Sequence, residues 1–178
     1  MLQDTRAAYG AISIILHWLA AALIIYLFID GSGLDEATNP AMRASHIAIG
    51  AGAAILLLAR VLWRLFSVSP APLTAAPAMN IVATVVKAAL LIDILAAVVT
   101  GFLTVWMDGQ AVSVLGLFSL VSPFAAAHET ALSLKGLHSL ATHLFVPIIG
   151  LHVLGTLKHV FWDKDGTFAR MLWPKTST

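Results

Sequence analysis

The chain of 178 residues contains no cysteine, and only 11% of its residues are charged. The absence of cysteine excludes disulfides, cysteine-ligated iron–sulfur clusters, cysteine–zinc sites and the covalent attachment of c-type haem. Soluble domains carry about a quarter charged residues, so this scarcity of charge, with a hydrophobic fraction of 60%, predicts an integral membrane protein. The net charge is only +1 and no basic patch is present, so we expect no nucleic-acid partner.

Four stretches are long and apolar enough to cross about 30 Å of hydrocarbon as helices. We expect them at residues 10–29, 44–63, 81–107 and 136–161, within a single domain that covers residues 1–178. The sequence therefore predicts an all-α, transmembrane four-helix bundle.

Three connections separate the four expected helices. Residues 30–42 are polar and glycine-bearing, and residues 67–79 are rich in proline and alanine. The third connection, residues 108–135, is the longest, and its apolar part at residues 112–124 is too short to span. We expect that part to lie against the membrane surface.

The basic residues are distributed unevenly between the two ends of this bundle. Lys and Arg are enriched on the cytoplasmic side of membrane proteins. Eight of them belong to the end with both termini and two to the other end, so we expect both termini to face the cytoplasm. The eight are Arg6, Arg60, Arg64, Lys87, Lys158, Lys164, Arg170 and Lys175, and the two are Arg43 and Lys135.

Four histidines lie within the expected helices at two depths. His17 and His152 lie about eight to ten residues from the cytoplasmic ends of the first and fourth helices, and His46 and His138 lie at the outer starts of the second and fourth. The fourteen residues between His138 and His152 make close to four turns, about 21 Å, so both share one face. Imidazoles inside a membrane are costly and rare. Two depth-matched pairs, His17 with His152 and His46 with His138, favour axial ligation of two non-covalent haems over ordinary hydrogen bonding between helices.

Four further residues lie where they could serve these sites. Gly50 follows His46 by one turn, where we expect it to leave room for a flat macrocycle. Arg60 lies fourteen residues after His46, so we expect it to face the interior near the inner haem and to pair with the propionates. Arg43 and Lys135 each precede an outer histidine by three residues, where they could pair with propionates or attract a small anion. The alternatives are close packing for Gly50, interfacial positions for Arg43 and Lys135, and snorkelling of Arg60 to the headgroups.

Several other polar residues each allow two interpretations. Asp93 lies inside the third helix, either as a proton carrier or charge partner, or as a hydrogen-bond partner of a neighbouring helix. We expect His128 in the outer loop, solvated or near an external substrate, and His143 in packing or hydrogen bonding. For His159, at the cytoplasmic interface, we favour a surface position over a quinone or proton site.

Short motifs along the chain carry a family resemblance. They are Tyr9-Gly10 ahead of His17-Trp18, His46 followed by Gly50, R-V-L-W-R at residues 60–64, V-S-V-L-G-L-F at residues 112–118, G-L-H at residues 136–138, His152, Lys158-His159 and F-W-D-K-D at residues 161–165. Over nearly its whole length the chain resembles the bacterial cytochrome b561 family, which consists of four-helix, di-haem proteins of the inner membrane.

The resemblance implies the same ligand pairs and an exchange of electrons between a quinone and a partner at the periplasmic face. In some members that partner is superoxide, and in others it is unknown or a secreted protein. Lys87 departs from the family pattern, because related sequences often carry a histidine near that position. The resemblance therefore does not extend to a quinone or propionate contact at Lys87.

We expect a membrane oxidoreductase of the bacterial inner membrane that exchanges electrons between the quinone pool and a periplasmic donor such as superoxide. With both axial positions taken by imidazole, outer-sphere electron transfer is favoured over chemistry at the iron. The alternative is a haem-bearing anchor subunit that passes electrons to or from a separate periplasmic or lipid-binding partner without turnover of its own. A metal-ion transporter is a third alternative, disfavoured by the scarcity of acidic groups near the histidines.

Overall fold

The computed structural model describes residues 1–32, 40–73 and 77–174. Four of its helices are long and apolar enough to cross a membrane. They are α1 (Ala11–Ser32), α2 (Pro40–Phe66), α3 (Pro77–Met107) and α4 (His128–Lys158). A π-helical turn, His159–Asp163, continues α4, and a 3-10 turn follows at Ala169–Met171. The predicted four-helix membrane bundle is confirmed, while Lys175, one of the basic residues used to orient it, lies outside the described residues.

Every helix extends beyond its predicted span. The helix α1 continues to Ser32, so the prediction that placed Asp30 in the first connection is wrong. The helices α2 and α3 begin at Pro40 and Pro77, where proline's fixed φ and missing N–H suit the first turn. The helix α4 begins at His128, within the predicted outer loop, because polar residues continue the helix past its apolar part. Hydropathy marks only the apolar part of a membrane helix.

The helices pack as two pairs, α1 on α2 and α3 on α4, and α2 and α3 join the pairs. All four helices contribute to the core in the middle of the bundle. Its side chains are small or aliphatic, apart from one aromatic ring. These residues are Ala20, Ala53, Leu57, Val61, Ile94 and Phe145. Because lipid is as apolar as these side chains, close van der Waals contact between small residues holds such helices together.

Polar contacts close the end of the bundle where α1 begins and α4 ends, which is called the inner end below. The buried carboxylate of Asp4 accepts hydrogen bonds from the Gly10 N–H at 2.7 Å and the Ser13 hydroxyl at 2.6 Å. A carboxylate here satisfies helix-terminal donors and complements the α1 dipole. The Trp63 indole donates to the Ser13 hydroxyl at 2.8 Å, which ties α2 to the start of α1.

At the outer end, the connection between α3 and α4 forms a hairpin. The strands β1 (Val112–Val114) and β2 (Phe118–Leu120) are antiparallel, with Val112 opposite Leu120. The valines of β1 are buried against α2 and α3, and β2 is exposed. The segment does not span, as predicted, and half of it packs against the bundle.

The hairpin turn is fastened to α2. Leu115 and Gly116 both have positive φ, 52° and 72°, an unfavourable conformation for a leucine. The Leu115 N–H donates to the Ala48 carbonyl at 3.1 Å. Its side chain fills the space beside Gly52, where an added Cβ would lie 2.5 Å from Leu115 Cδ2. These two contacts with α2 offset the backbone strain.

Candidate functional site

The four histidines expected as ligands face each other as two pairs. In the inner pair, His17 of α1 and His152 of α4, the ring centroids are 6.1 Å apart and the planes differ by 66°. In the outer pair, His46 of α2 and His138 of α4, the centroids are 6.5 Å apart and the planes differ by 79°. Since His138 and His152 are four turns apart on α4, the pairs lie at two heights, about 21 Å apart along the helix.

The rings of the outer pair are hydrogen-bonded at Nδ1. The His46 Nδ1–H donates to the Asp30 carboxylate, with 3.0 Å between Nδ1 and Oδ2. The His138 Nδ1–H donates to the Ala97 carbonyl at 2.9 Å, with the Thr100 hydroxyl oxygen 3.2 Å away. A hydrogen bond at Nδ1 fixes the tautomer and leaves Nε2 available as a metal ligand.

Two glycines lie directly against the outer rings. A Cβ at Gly31 of α1 would lie 3.0 Å from His46 Cε1, and a Cβ at Gly101 of α3 would lie 3.1 Å from His138 Cε1. Both distances are tighter than ordinary contacts, so any larger residue displaces the ring. Gly50, expected to make room for a macrocycle, is different, since a Cβ there would meet only Leu27 Cδ2 at 3.9 Å.

The inner pair is surrounded by positive charge. Among the described residues, neither His17 nor His152 has a hydrogen bond to its ring. Arg60 interacts electrostatically with both rings. The buried Nη1 atoms of Arg60 and Arg64 have no hydrogen-bond partner in the described ranges, whereas Arg64 Nη2 donates to the Ser69 hydroxyl. Lys87 lies near His152 and Arg64, so three cations share the inner end of the bundle.

The two cations expected at the outer surface differ in their surroundings. Arg43 pairs with Asp108 at 3.2 Å and also donates to the Gln110 side chain at 3.2 Å. Asp108 also contacts His128 Nδ1 at 3.1 Å, and this histidine is the exposed first residue of α4. Lys135 is exposed and has no ion pair within the described part of the chain. Among the described residues, Lys135 is thus the outer cation without an ion pair, whereas Arg43 has one.

Two further polar residues of the expected spans, His143 and Asp93, make no hydrogen bond to either histidine pair in the described part of the chain. The His143 ring donates from Nδ1 to the Ser139 carbonyl of its own helix at 2.7 Å and packs edge-on against Phe28. Asp93 is buried, and its Oδ2 has no hydrogen-bond partner among the residues that the structure describes. His143 thus has the packing and hydrogen-bonding position expected of it.

His159 belongs to an ion-pair network just beyond α4. Its Nδ1 lies 2.7 Å from Asp165 and 3.3 Å from Asp163, and Asp163 also receives the Lys158 ammonium at 2.6 Å. Burial opposes ionisation of Asp165, but hydrogen bonds from Thr167 and His159 keep the pKa of this carboxyl below its usual value. His159 is thus hydrogen-bonded to acidic side chains just beyond α4.

Sequence reasoning missed the residues that hold the outer rings. Asp30 is the only formally charged residue of α1, and that was the available signal. Asp30 was overlooked because a carboxylate at the edge of an apolar span is typical of the start of a loop. Gly31 and Gly101 gave no signal beyond close packing.

Four membrane-crossing helices with facing histidines at two heights define a class of protein that builds its cofactor sites in the core of a helical bundle. The model of the prokaryotic cytochrome b561 family matches residues 8–174. The chain belongs to this family, whose members bind b-type haem and transfer electrons across membranes.

Two curated relatives are similar to the chain over almost their whole length. Cytochrome b561 homolog 2 of Escherichia coli (strain K12) is 33% identical over 181 residues, which cover 98% of this chain and 96% of that protein. The probable superoxide oxidase CybB of Yersinia pestis is 29% identical over 171 residues, which cover 92% of this chain and 95% of that protein.

Proposed function

We propose that this protein transfers electrons from a periplasmic donor, superoxide, to the quinone pool through two b-type haems in the inner membrane. His17 and His152 hold the inner haem, and His46 and His138 hold the outer one. When bound, each haem supplies an iron centre that accepts and releases one electron.

The spacing of the facing rings is the observation that carries this proposal. An imidazole nitrogen lies about 2.0 Å from a metal it ligates and about 1.1 Å from its own ring centroid, so two imidazoles on opposite sides of one metal have centroids about 6.2 Å apart. The two separations here are 6.1 and 6.5 Å. A direct hydrogen bond between two rings brings the centroids to about 5 Å. The rings are thus spaced for one metal atom between them.

The residues around the inner pair fit the acidic groups of a haem. A buried guanidinium N–H without an acceptor is costly, and within the described residues Arg60 and Arg64 each leave a buried Nη1 unpaired, although Arg64 Nη2 donates to the Ser69 hydroxyl. Arg60 also lies near both inner rings. The two carboxylates of haem b's propionates are the partners that such guanidinium groups require.

The overall reaction balances when two superoxide ions meet one quinone. Each superoxide loses one electron and becomes dioxygen, and the quinone takes up two electrons and two protons and becomes quinol. The name of the Yersinia pestis relative, a probable superoxide oxidase, supports superoxide as the donor. The exposed Lys135, with Arg43, attracts the anion to the outer end.

The orientation that this direction requires places both termini in the cytoplasm. The support is the distribution of basic residues, most of which belong to the inner end of the bundle. The three cations Arg60, Arg64 and Lys87 all belong to this end.

The test begins with the purified protein in lipid nanodiscs. A dithionite-reduced spectrum and a pyridine haemochrome assay should give two b-type haems per chain. Superoxide generated enzymatically should then reduce added ubiquinone, and superoxide dismutase should abolish this reduction. A colourless protein contradicts the proposal at its base. A two-haem protein that stays inert until a periplasmic or lipid-binding partner is added identifies an anchor subunit instead.

A further inference from the structure

The two outer histidines are held by acceptors of different charge. His46 donates to a carboxylate, Asp30, and the two side chains are only 20% and 16% exposed. His138 donates to the uncharged backbone carbonyl of Ala97. Charge-assisted hydrogen bonds are about twice as strong as neutral ones. The outer pair therefore contains one ring that is polarised by a full negative charge.

Asp30 is well placed to hold this ring rigidly. It lies in the last turn of α1, and the next residue, Gly31, packs against the same ring. A Cβ added at Gly31 would lie 3.0 Å from His46 Cε1. The hydrogen bond and the packing contact come from adjacent residues of one helix. Together they hold the His46 ring opposite the His138 ring, with 6.5 Å between the two ring centroids.

The electrostatic surroundings of the inner pair have the opposite sign. No carboxylate contacts His17 or His152 in the described part of the chain, whereas Arg60 interacts with both rings and Lys87 with His152. A negative charge beside an iron ligand stabilises the ferric state, and positive charges nearby stabilise the ferrous state.

We propose that Asp30 is a positioning residue that polarises His46 and lowers the reduction potential of the outer haem below that of the inner haem. The inference rests on the proposed ligation of two haems by these four histidines. The difference in potential makes electron flow from the outer to the inner end downhill, which is the direction that oxidation of an external donor requires.

The test is a spectroelectrochemical titration of the full-length, haem-loaded protein with the isosteric variant Asp30→Asn. It keeps an oxygen acceptor for His46 but removes the charge. We expect the reduction equilibrium of one haem to shift about tenfold toward the ferrous form, about 59 mV for a one-electron couple. The reduction equilibrium constant of the other haem should change by less than twofold. Combining Asp30→Asn with His152→Ala, which retains only the outer haem, identifies which couple has moved.

The matched control is Thr100→Val, which removes an uncharged contact of His138 and leaves the Ala97 carbonyl in place. It should change the reduction equilibrium constant of neither haem by more than twofold. Asp30→Glu keeps the charge and should leave the outer couple closer to that of the unmodified protein than Asp30→Asn does.

The outcomes separate this inference from the proposed function. An Asp30→Asn protein with two haems and unchanged potentials overturns the role of Asp30 and leaves the ligation intact. An unmodified protein without haem overturns the ligation first. If Asp30→Asn loses the outer haem, Asp30→Glu decides the matter. If Asp30→Glu recovers that haem with a reduction equilibrium constant within twofold of the original, the role of the charge is supported. If Asp30→Glu does not recover the haem, that role is overturned.

Discussion

The outer and inner histidine pairs have nearly the same ring spacing but are supported in different ways. The outer rings are held by neighbouring backbone and by Asp30, and two glycines, Gly31 and Gly101, pack against them. The inner rings have no such hydrogen bonds within the described residues and lie among cations. The outer site is therefore shaped by the polypeptide alone, whereas we expect the inner site to be completed by the charges of its cofactor.

Removing one ligand from each pair gives the largest effect. His138→Ala should abolish binding at the outer site and His152→Ala at the inner site, because a haem with one protein ligand is held far more weakly. Each variant should bind one haem per chain instead of two in a pyridine haemochrome assay. His143→Ala is the matched control from the same helix, since its ring bonds only to its own turn of α4. Two haems in either ligand variant contradict the pairing.

The glycines test whether the polypeptide shapes the outer site. Gly101→Ala puts a methyl group 3.1 Å from His138 Cε1, and overpacking of this kind costs about 1–3 kcal/mol. We expect the outer haem to be released at a lower temperature than the inner one in a thermal melt followed at the Soret band. Gly136→Ala, where an added Cβ meets nothing within 4 Å, should melt like the unmodified protein. Equal melting of both variants shows that the outer ring tolerates displacement.

Neutralising a cation at the inner pair should shift a potential in the direction opposite to Asp30→Asn. Arg60→Gln removes a positive charge that favours the ferrous state, so we expect the inner couple to fall by about 59 mV, a tenfold change. Redox titration measures the shift. Arg170→Gln is the control, because that exposed guanidinium donates to the Ala71 carbonyl. If the inner potential rises in Arg60→Gln, Arg60 does not favour the ferrous state, and the proposed electrostatic difference between the two histidine pairs is wrong.

The smallest effect concerns the arrival of superoxide at the outer surface. Lys135→Gln should slow superoxide oxidation several-fold at low ionic strength, and Arg43→Gln should slow it less, because Asp108 already compensates Arg43. Stopped-flow rates across a salt series give the measurement. Added salt should reduce the difference between Lys135→Gln and the unmodified protein. If Arg43→Gln has the larger effect, Lys135 is not the cation that attracts the anion.

Much of the fold could be predicted from the sequence because hydropathy and helix geometry act locally. Runs of apolar residues predicted all four helices, and the observed helices extend beyond these runs by up to eight residues at one end. Counting residues along antiparallel helices also predicted which histidines would face each other. His17 with His152 and His46 with His138 needed only the 1.5 Å rise per residue.

The residues that support the histidines could not be predicted in this way. The contact between Asp30 and His46 depends on the side-to-side placement of α1 and α2, and the contact between Gly101 and His138 depends on the rotation of α3. Neither property follows from the spacing of residues along one helix. The sequence also gave no sign that Arg43 is paired with Asp108, since the two are 65 residues apart.

The contact between Leu115 and Gly52 has a consequence for the biogenesis of the protein. Gly52 belongs to the second helix, and the side chain that fills the space beside it is synthesised only after the third helix. Until the hairpin has been synthesised and packed, the space beside Gly52 on the second helix is not filled by Leu115. Insertion of the first two helices therefore cannot complete the outer half of the bundle, and its final packing waits for the later part of translation.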